Sequence, residues 1–210
     1  MAYMDEQIIN AIQNAERIKN KTSPDKTNLE MIIKQIREGI ITLVEPHIKM
    51  ERRTFLNDSF TISIPKEFDF MDDGMAKIKY PNESRPGIIF TNRQDTVNIG
   101  LNYVEQALED EDVTAFRDVM KNAVISIHPS SKIMDTGDFN TDKHTVAYYT
   151  FPNHVIGGQM YNLFFALTIN KKVLVCNLNC LKKDMDKWMP IFYGIMHTIQ
   201  IDEKEGVING

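Results

Sequence analysis

The stretch VLVCNLNCLKKDMDKW, from Val173 to Trp188, combines the signals that decide how the chain folds. Its first part indicates a core β-strand, its middle a charged turn, and its end the start of a helix anchored by a tryptophan. It also holds the two cysteines of the chain, Cys176 and Cys180. On a strand they lie on one face about 13 Å apart, whereas a disulfide needs Cα atoms within roughly 7 Å. The spacing therefore predicts two small apolar core residues rather than a disulfide, and His197 alone is too little to complete a zinc site.

The segments before this stretch predict a meander of long antiparallel strands. IMDTGDF, HTVAYYTF, QMYNLFFALTI and KVLVCNLNC follow one another, and a tight turn at Asn170-Lys171 joins the last two. Strands joined by short turns run antiparallel. The last two strands are apolar on both faces, so we expect both faces of the sheet to be covered. After the stretch, DMDKWMPIFYGIMHTIQI has the spacing of a closing helix.

Earlier in the chain, period-two patterns predict further strands. FTISI and VNIGLNY each have one apolar face, and AKIKY and GIIFT are shorter candidates. The acidic segment LEDEDVT leads into a helix that ends at His128-Pro129, with Asp112 as its expected N-cap.

The N-terminal region predicts two amphipathic helices separated by NKTSPDKTN. The apolar stripe of the second helix runs from Leu29 to Leu43, so we expect the helix to end near Glu45-Pro46, and EPHIKMERR to be a hinge. The predicted organisation is therefore a helical hairpin over residues 1–48, a sheet domain over residues 53–203 and a flexible tail over residues 204–210. The hairpin needs a surface to cover its stripes, which leaves open packing on the sheet domain or pairing with a second copy in a homodimer.

From about residue 56 to residue 201, the order of elements resembles the PsbP-like fold family. The resemblance rests on the opening strand FTISIPKEF, a central helix, the late meander, and the closing helix WMPIFYGIMHTI. Members of this family include a photosystem subunit, a Ran-binding import factor and bacterial DcrB-type and Eag-type secretion-chaperone domains. The resemblance implies an α+β fold, an antiparallel sheet with helices on both faces in an α/β/α sandwich. It also implies protein binding rather than catalysis.

Composition restricts the class of protein. The chain carries 24 basic and 29 acidic residues, a net charge of −5, and the two signs are mixed along it. A nucleic-acid binder that neutralises phosphates needs a basic face, so we expect no nucleic-acid partner. Apolar runs such as LFFAL are far shorter than the roughly 18 residues that span a bilayer. We therefore expect no membrane insertion and, with two cysteines and no leader pattern, a cytoplasmic location.

One constellation could carry metal chemistry. His144 and His154 flank the segment KHTVAYYTFPNHVIGG, and Asp142 stands beside the first of them. If this segment closes into a hairpin, these side chains gather at one end, where they could bind a metal or transfer protons. The alternative is that loop histidines and aspartates serve only solubility. The sequence contains no G-x-S-x-G, P-loop, G-x-G-x-x-G or H-E-x-x-H motif, and it implies no cofactor.

Two other segments are candidates for contact with a partner protein. The acidic residues Glu109, Asp110 and Glu111 could meet a basic surface, or they could simply be the solvated start of a helix. The segment FDFMDDGMAKIKYPNESRP mixes Phe68, Phe70 and Met71 with turn residues, which is typical either of a binding loop or of a packed strand connection. The sequence thus favours a non-enzymatic protein-binding, adaptor or chaperone-like domain, with a metal-binding protein or enzyme at His144, Asp142 and His154 as the alternative.

Overall fold

The computed structural model describes residues 24–81, 85–141, 143–155 and 158–202, and every structural statement concerns these residues. Within them the chain forms four α-helices: α1 (Lys26–Arg37), α2 (Asp73–Lys79), α3 (Val113–Ile127) and α4 (Met185–Met196). The strands are β1 (Ile40–Ile41), β2 (Ile48–Phe55), β3 (Phe60–Pro65), β4 (Asp69–Phe70), β5 (Ile88–Thr91), β6 (Val97–Ala107), β7 (Asp135–Asn140), β8 (Thr145–Val155), β9 (Gly158–Ile169), β10 (Lys172–Leu181) and β11 (Gln200–Ile201). None of the described helices combines the length and apolar character needed to cross a lipid bilayer.

The larger of two sheets has seven strands in the order β4-β5-β6-β10-β9-β8-β7, all antiparallel to their neighbours. Strand β10, the first part of the stretch VLVCNLNCLKKDMDKW, lies between β6 and β9. The predicted meander is therefore confirmed. Asn170 and Lys171 form the two-residue turn between β9 and β10 with φ of 51° and 58°. Two positive φ values match the right-handed twist of the strands that the turn joins.

Helices cover both faces of this sheet, which confirms the predicted α+β fold. On one face α3 packs Phe116 and Met120 against Tyr149 and Phe164. On the other face α4 belongs to the main core, together with Leu174, Cys176, Leu178 and Cys180 of β10. Both cysteines lie in that core as predicted. Burial raises the pKa of both thiols, that of Cys180 to about 12.

A row of buried polar side chains holds α2 against the face of the large sheet that α3 also covers. Thr91, Asn98 and Asn179 stand in register on β5, β6 and β10. The Asn98 side-chain amide donates to Asn179 Oδ1 at 2.8 Å, and the Asn179 amide donates to the Tyr80 hydroxyl at 3.1 Å. Burial raises the pKa of Tyr80. Because buried polar groups are costly without partners, this chain of bonds fixes the end of α2 over the sheet.

The smaller sheet, in the order β1-β2-β3-β11, lies on the other side of α4. All six residues of β3 are buried, and this strand contacts α4. Helix α1 also packs on α4 through Ile32 and Ile36, which are 4% and 2% exposed. The close approach depends on Gly194, because a Cβ there would lie 2.5 Å from Ile32 Cγ2 and 2.7 Å from Ile36 Cδ1. Helix α4 is thus enclosed between two sheets and a second helix.

Two sequence predictions for the N-terminal region are wrong. The second helix ends at Arg37 rather than near Glu45, because Gly39 has a φ of 84° and donates its N–H to the Ile36 carbonyl at 3.1 Å. The predicted hinge EPHIKMERR is largely strand β2, so the expected boundary between residues 48 and 53 falls inside that strand. The first predicted helix lies outside the described residues, and the division into a hairpin and a sheet domain stays a prediction.

The prediction of a strand at AKIKY is also wrong, because this segment belongs to α2. Asp72 caps the helix: its Oδ1 accepts hydrogen bonds from Gly74 N at 2.9 Å and Met75 N at 3.2 Å. An aspartate that satisfies the free amides of a first turn favours helix over strand. Helix α2 then buries Ala76 against Met71 and Ile89.

We expect Gly194→Ala to lower the free energy of unfolding by about 1–3 kcal/mol, because the new methyl group overlaps Ile32 and Ile36. The destabilisation is expected although alanine is intrinsically better in a helix than glycine by about 1 kcal/mol. Urea unfolding followed by the fluorescence of Trp188, the one tryptophan of the chain, measures it. Combining the change with Ile32→Ala, which opens space at the contact, should cost less than the sum of the two single changes. Additive effects would contradict the contact.

Candidate protein-binding surface

The first predicted contact region, the acidic run before α3, turns its central residue inward. Asp110 accepts the backbone N–H of Thr145 at 3.0 Å from each carboxylate oxygen, and the Thr145 hydroxyl at 2.7 Å. The Thr168 hydroxyl donates to the same carboxylate at 3.1 Å. Asp110 therefore ties the start of α3 to strands β8 and β9, and its oxygens are engaged within the chain.

The neighbours of Asp110 stay at the surface. Glu109 lies 3.1 Å from the Lys171 ammonium group in an exposed pair, and Glu111 is exposed. Asp112 occupies the position before α3, but its side chain makes no capping hydrogen bond, unlike the prediction. A 3-10 turn, Asp110–Asp112, precedes the helix and places Asp112 in helical geometry, with φ of −90° and ψ of −5°. An exposed ion pair contributes little, so Glu109 and Glu111 are still accessible to a partner.

In the second predicted contact region, Phe68, Phe70 and Met71 differ in their exposure to solvent. Phe68 and Met71 are only 3% and 8% exposed, which at these two positions favours the packed strand connection over the binding loop. The Phe68 ring packs 5.4 Å from that of Trp188, and Met71 packs with Ile89 under α2. Phe70, by contrast, is 66% exposed. Both residues of β4, Asp69 and Phe70, are exposed, and the buried Phe68 and Met71 flank this short strand.

Phe70 rests on a rigid aromatic platform. It stands opposite Phe90 in the register of β4 and β5, and the two ring centres are 4.6 Å apart. Phe90 is fully buried and contacts Phe55 of the smaller sheet at 6.0 Å between ring centres. Packed aromatic pairs contribute beyond the area that they bury, so Phe90 fixes the orientation of the exposed ring above it.

Arg53 joins the two sheets at the same place. Its guanidinium carbon lies 4.6 Å from the centre of the Phe90 ring, a cation–π contact. Its Nη2 donates to the Phe68 carbonyl at 2.9 Å and its Nε to the Glu51 carboxylate at 2.6 Å. We use the name Phe70 surface for the exposed Phe70 together with the residues that support it, Phe90, Arg53 and Phe55. A large ring held outside on buried neighbours offers apolar contact to another protein, the arrangement typical of binding hot spots.

The sequence candidates include Phe70 but miss Arg53, Phe55 and Phe90. Arg53 lies in the segment interpreted as a hinge, and the alternation of Ile48, Met50 and their polar neighbours in HIKMERRTF was the available signal for a strand. Its meeting with Phe90 joins residues of two different sheets, and no local pattern encodes that contact.

The structure does not bring the predicted histidine site together. HTVAYYTFPNH forms the single strand β8 rather than a hairpin, with His144 just before one end and His154 at the other. The ten residue-to-residue steps along the strand place them about 33 Å apart. His144 Nδ1 lies 3.7 Å from Asp110 Oδ1, and Asp142 lies outside the described residues. Among residues 24–81, 85–141, 143–155 and 158–202, no group of three or more His, Cys, Asp or Glu side chains is placed to hold a metal ion.

Comparison with known proteins identifies the fold. No family model and no curated protein matches the sequence. Cyanobacterial PsbP (CyanoP) from Synechocystis sp. PCC 6803 is similar in structure, with a TM-score of 0.54 and 11% identity over 73% of this chain and 92% of that chain. The Saccharomyces cerevisiae Ran-binding protein Mog1p (TM-score 0.47, 7% identity, 74% and 97% of the chains) and Mycobacterium tuberculosis LpqN (0.49, 12%, 73% and 91%), which is involved in cell envelope biogenesis, also match. The likeness to cyanobacterial PsbP concerns the fold, and it confirms the expected PsbP-like architecture.

We expect Asp110→Asn to lower the free energy of unfolding by about 1–3 kcal/mol, because it removes charge from a carboxylate that accepts bonds from Thr145 and Thr168. Glu111→Gln, a change of the same chemistry at an exposed neighbour, should alter it by less than about 0.5 kcal/mol. Chemical denaturation of both variants and the parent chain makes the comparison. Equal effects at the two positions would contradict an internal role for Asp110.

Proposed function

We propose that this chain, a PsbP-like α+β domain, is a non-enzymatic protein-binding domain of the adaptor or chaperone-like kind, and that its partner docks on the Phe70 surface. The proposal rests mainly on one observation: a phenylalanine that is 66% exposed stands on a fully buried aromatic neighbour at the edge of the large sheet. Exposed aromatic rings are costly in water, and they gain free energy when a partner covers them.

The surroundings of Phe70 favour binding over catalysis. The ring stands on Phe90, and the charge of Arg53 beneath is balanced by Glu51 at 2.6 Å. A partner can therefore contact the aromatic face of Phe70 and the partly buried guanidinium of Arg53, which is paired with Glu51. These groups suit recognition of an apolar side chain inside a polar rim. The cytoplasmic location expected from the sequence belongs to this proposal as well.

The platform also explains how the surface could bind without large rearrangement. Arg53 of β2 donates to the Phe68 carbonyl at 2.9 Å, so the segment just before Phe70 is tied to the smaller sheet. A ring whose position is already fixed loses little conformational freedom when it binds. On this proposal Phe70 is the anchor, and Arg53 is a positioning residue that acts through Phe90.

Phe70→Ser should abolish capture of the partner while the domain stays folded. Losing one exposed ring contact costs on the order of 1 kcal/mol of stability, so thermal unfolding should show an intact cooperative transition. The matched control is Ile78→Ser, because Ile78 is 75% exposed on α2 and lies outside the Phe70 surface. Affinity capture from the native cell extract with all three chains, quantified by mass spectrometry, identifies proteins retained by the parent chain and the Ile78 variant but not by the Phe70 variant.

The captured candidate is then purified and its affinity measured directly by calorimetry. We expect Phe70→Ser to weaken binding by at least about tenfold, and Ile78→Ser to change it by less than about twofold. A retained set that is identical for the three chains, or a purified candidate that binds the Phe70 variant as well as the parent, would refute the proposal.

A further inference from the structure

Helix α3 presents an apolar row to solvent, which runs obliquely from the outer side at Ala115 towards the sheet at Ile127, because each step of four residues turns about 40° around the helix. Ala115, Val119, Ala123 and Ile127 follow one another at intervals of four residues, and all four are exposed, Val119 by 65% and Ile127 by 71%. Residues four apart are neighbours on a helix surface, so they form one continuous ridge. Solvent-facing helix sides are usually charged or polar, and this ridge is neither.

The charged side chains of α3 are engaged with one another beside the ridge. Arg117 is 6% exposed and donates to Asp118 at 2.9 Å and to the Gly137 carbonyl at 2.8 Å. Lys121 donates to the same Asp118 oxygen at 2.6 Å. Hydrogen bonding from Lys121 lowers the pKa of Asp118, so the carboxylate stays charged and bound. The outer side of α3 therefore meets solvent without a free charge along the ridge.

The ridge is complementary to itself when reversed. Its residues alternate small and large, in the order Ala115, Val119, Ala123 and Ile127. In an antiparallel pairing of two copies centred on position 121, each alanine of one helix faces the larger residue of the other: Ala115 faces Ile127, and Val119 faces Ala123. Small side chains opposite large ones let two helices interdigitate. A two-fold interface requires this kind of self-complementarity.

The charges at the ends of α3 favour the same arrangement. Glu111 and Asp112 are exposed acidic residues at the start of the helix, and Lys132 is an exposed basic residue just beyond its end. An antiparallel pair places the acidic start of each helix beside the basic end of the other, whereas a parallel pair places acid against acid. Opposed helix dipoles add to the preference for antiparallel alignment.

We propose that the outer side of α3 is a self-association surface on which a second copy of this chain docks by two-fold symmetry. A 15-residue helix is about 22 Å long, so the contact is small, and interfaces of this size belong to the transient class. The dimer is therefore weak and reversible, and it leaves the Phe70 surface on the opposite side of the sheet available to another protein.

Sedimentation of the full chain from about 10 μM to about 1 mM measures the association. We expect the average mass to rise from monomer towards dimer, and Val119→Glu to keep it at the monomer mass. Ile78→Glu places the same charge at an equally exposed apolar residue away from α3, and it should leave the concentration dependence unchanged. Thermal unfolding of both variants verifies that neither change disrupts the fold, as expected for exposed sites.

A charge exchange tests the antiparallel two-fold pairing itself. The Glu111→Lys change sets a new lysine beside Lys132 at both ends, although Asp112 stays acidic, and the Lys132→Glu change makes both ends acidic against acidic. We expect each variant alone to dimerise on the order of tenfold more weakly at low salt. In an equimolar mixture every end contact again joins opposite charges, so the two variants should form a heterodimer at least as tight as the parent dimer.

Three results would overturn the proposal. One is a chain that stays monomeric at about 1 mM under these conditions. The second is a dimer that Val119→Glu does not affect, for instance one lost only when residues 1–23 are removed, which would place self-association in the first predicted helix. The third is a mixture of charge variants that associates no more tightly than either variant alone.

Discussion

Helix α4 is buried around nearly its whole circumference, and the other elements are arranged to cover it. Nine of its twelve residues are buried, including Trp188, Phe192 and the glycine at position 194. One side faces the large sheet, and the remaining sides meet α1 and strand β3 of the small sheet. A helix that is apolar all round must be enclosed. The large sheet covers one side of α4 only, so the other sides of the helix need further layers. The smaller sheet and α1 supply them.

This arrangement gives the N-terminal part of the described chain a structural task. Helix α1 closes the core because Ile32 and Ile36 reach the space that the missing side chain of Gly194 leaves free. Strand β2 follows α1 and brings Arg53 to the edge of the large sheet, where it contacts Phe90. The Phe70 surface therefore depends on the packing of both sheets around α4, although Phe70 itself contributes little to the core.

The sequence reveals most of the large sheet, because its long strands either alternate in polarity or are apolar throughout, and short turns join the last of them. It also indicates α3, α4 and the resemblance to PsbP-like proteins. It misleads where one residue outweighs a pattern. The positive φ of Gly39 ends α1 inside a continuing apolar stripe, and the Asp72 cap turns the strand-like AKIKY into helix.

The candidate surface is predictable only in part for a related reason. Phe70 could be named from its place among turn residues, but burial of Phe68 and Met71 depends on which side of β4 each one takes. The contact between Arg53 and Phe90 joins two sheets and has no local signature. The predicted histidine site is not assembled, because the segment expected to form a hairpin is one long strand that holds His144 and His154 apart.

The central claim is that α1 and α4 belong to one cooperative core. Native-state hydrogen exchange, read by NMR for the amides of residues 30–36 and 187–195, tests it most directly. We predict that the slowest amides of both helices exchange with opening free energies that agree within about 1 kcal/mol, since α1 cannot leave without exposing α4. Amides of α1 that exchange several kcal/mol more easily than those of α4, with α4 unaffected, would contradict it.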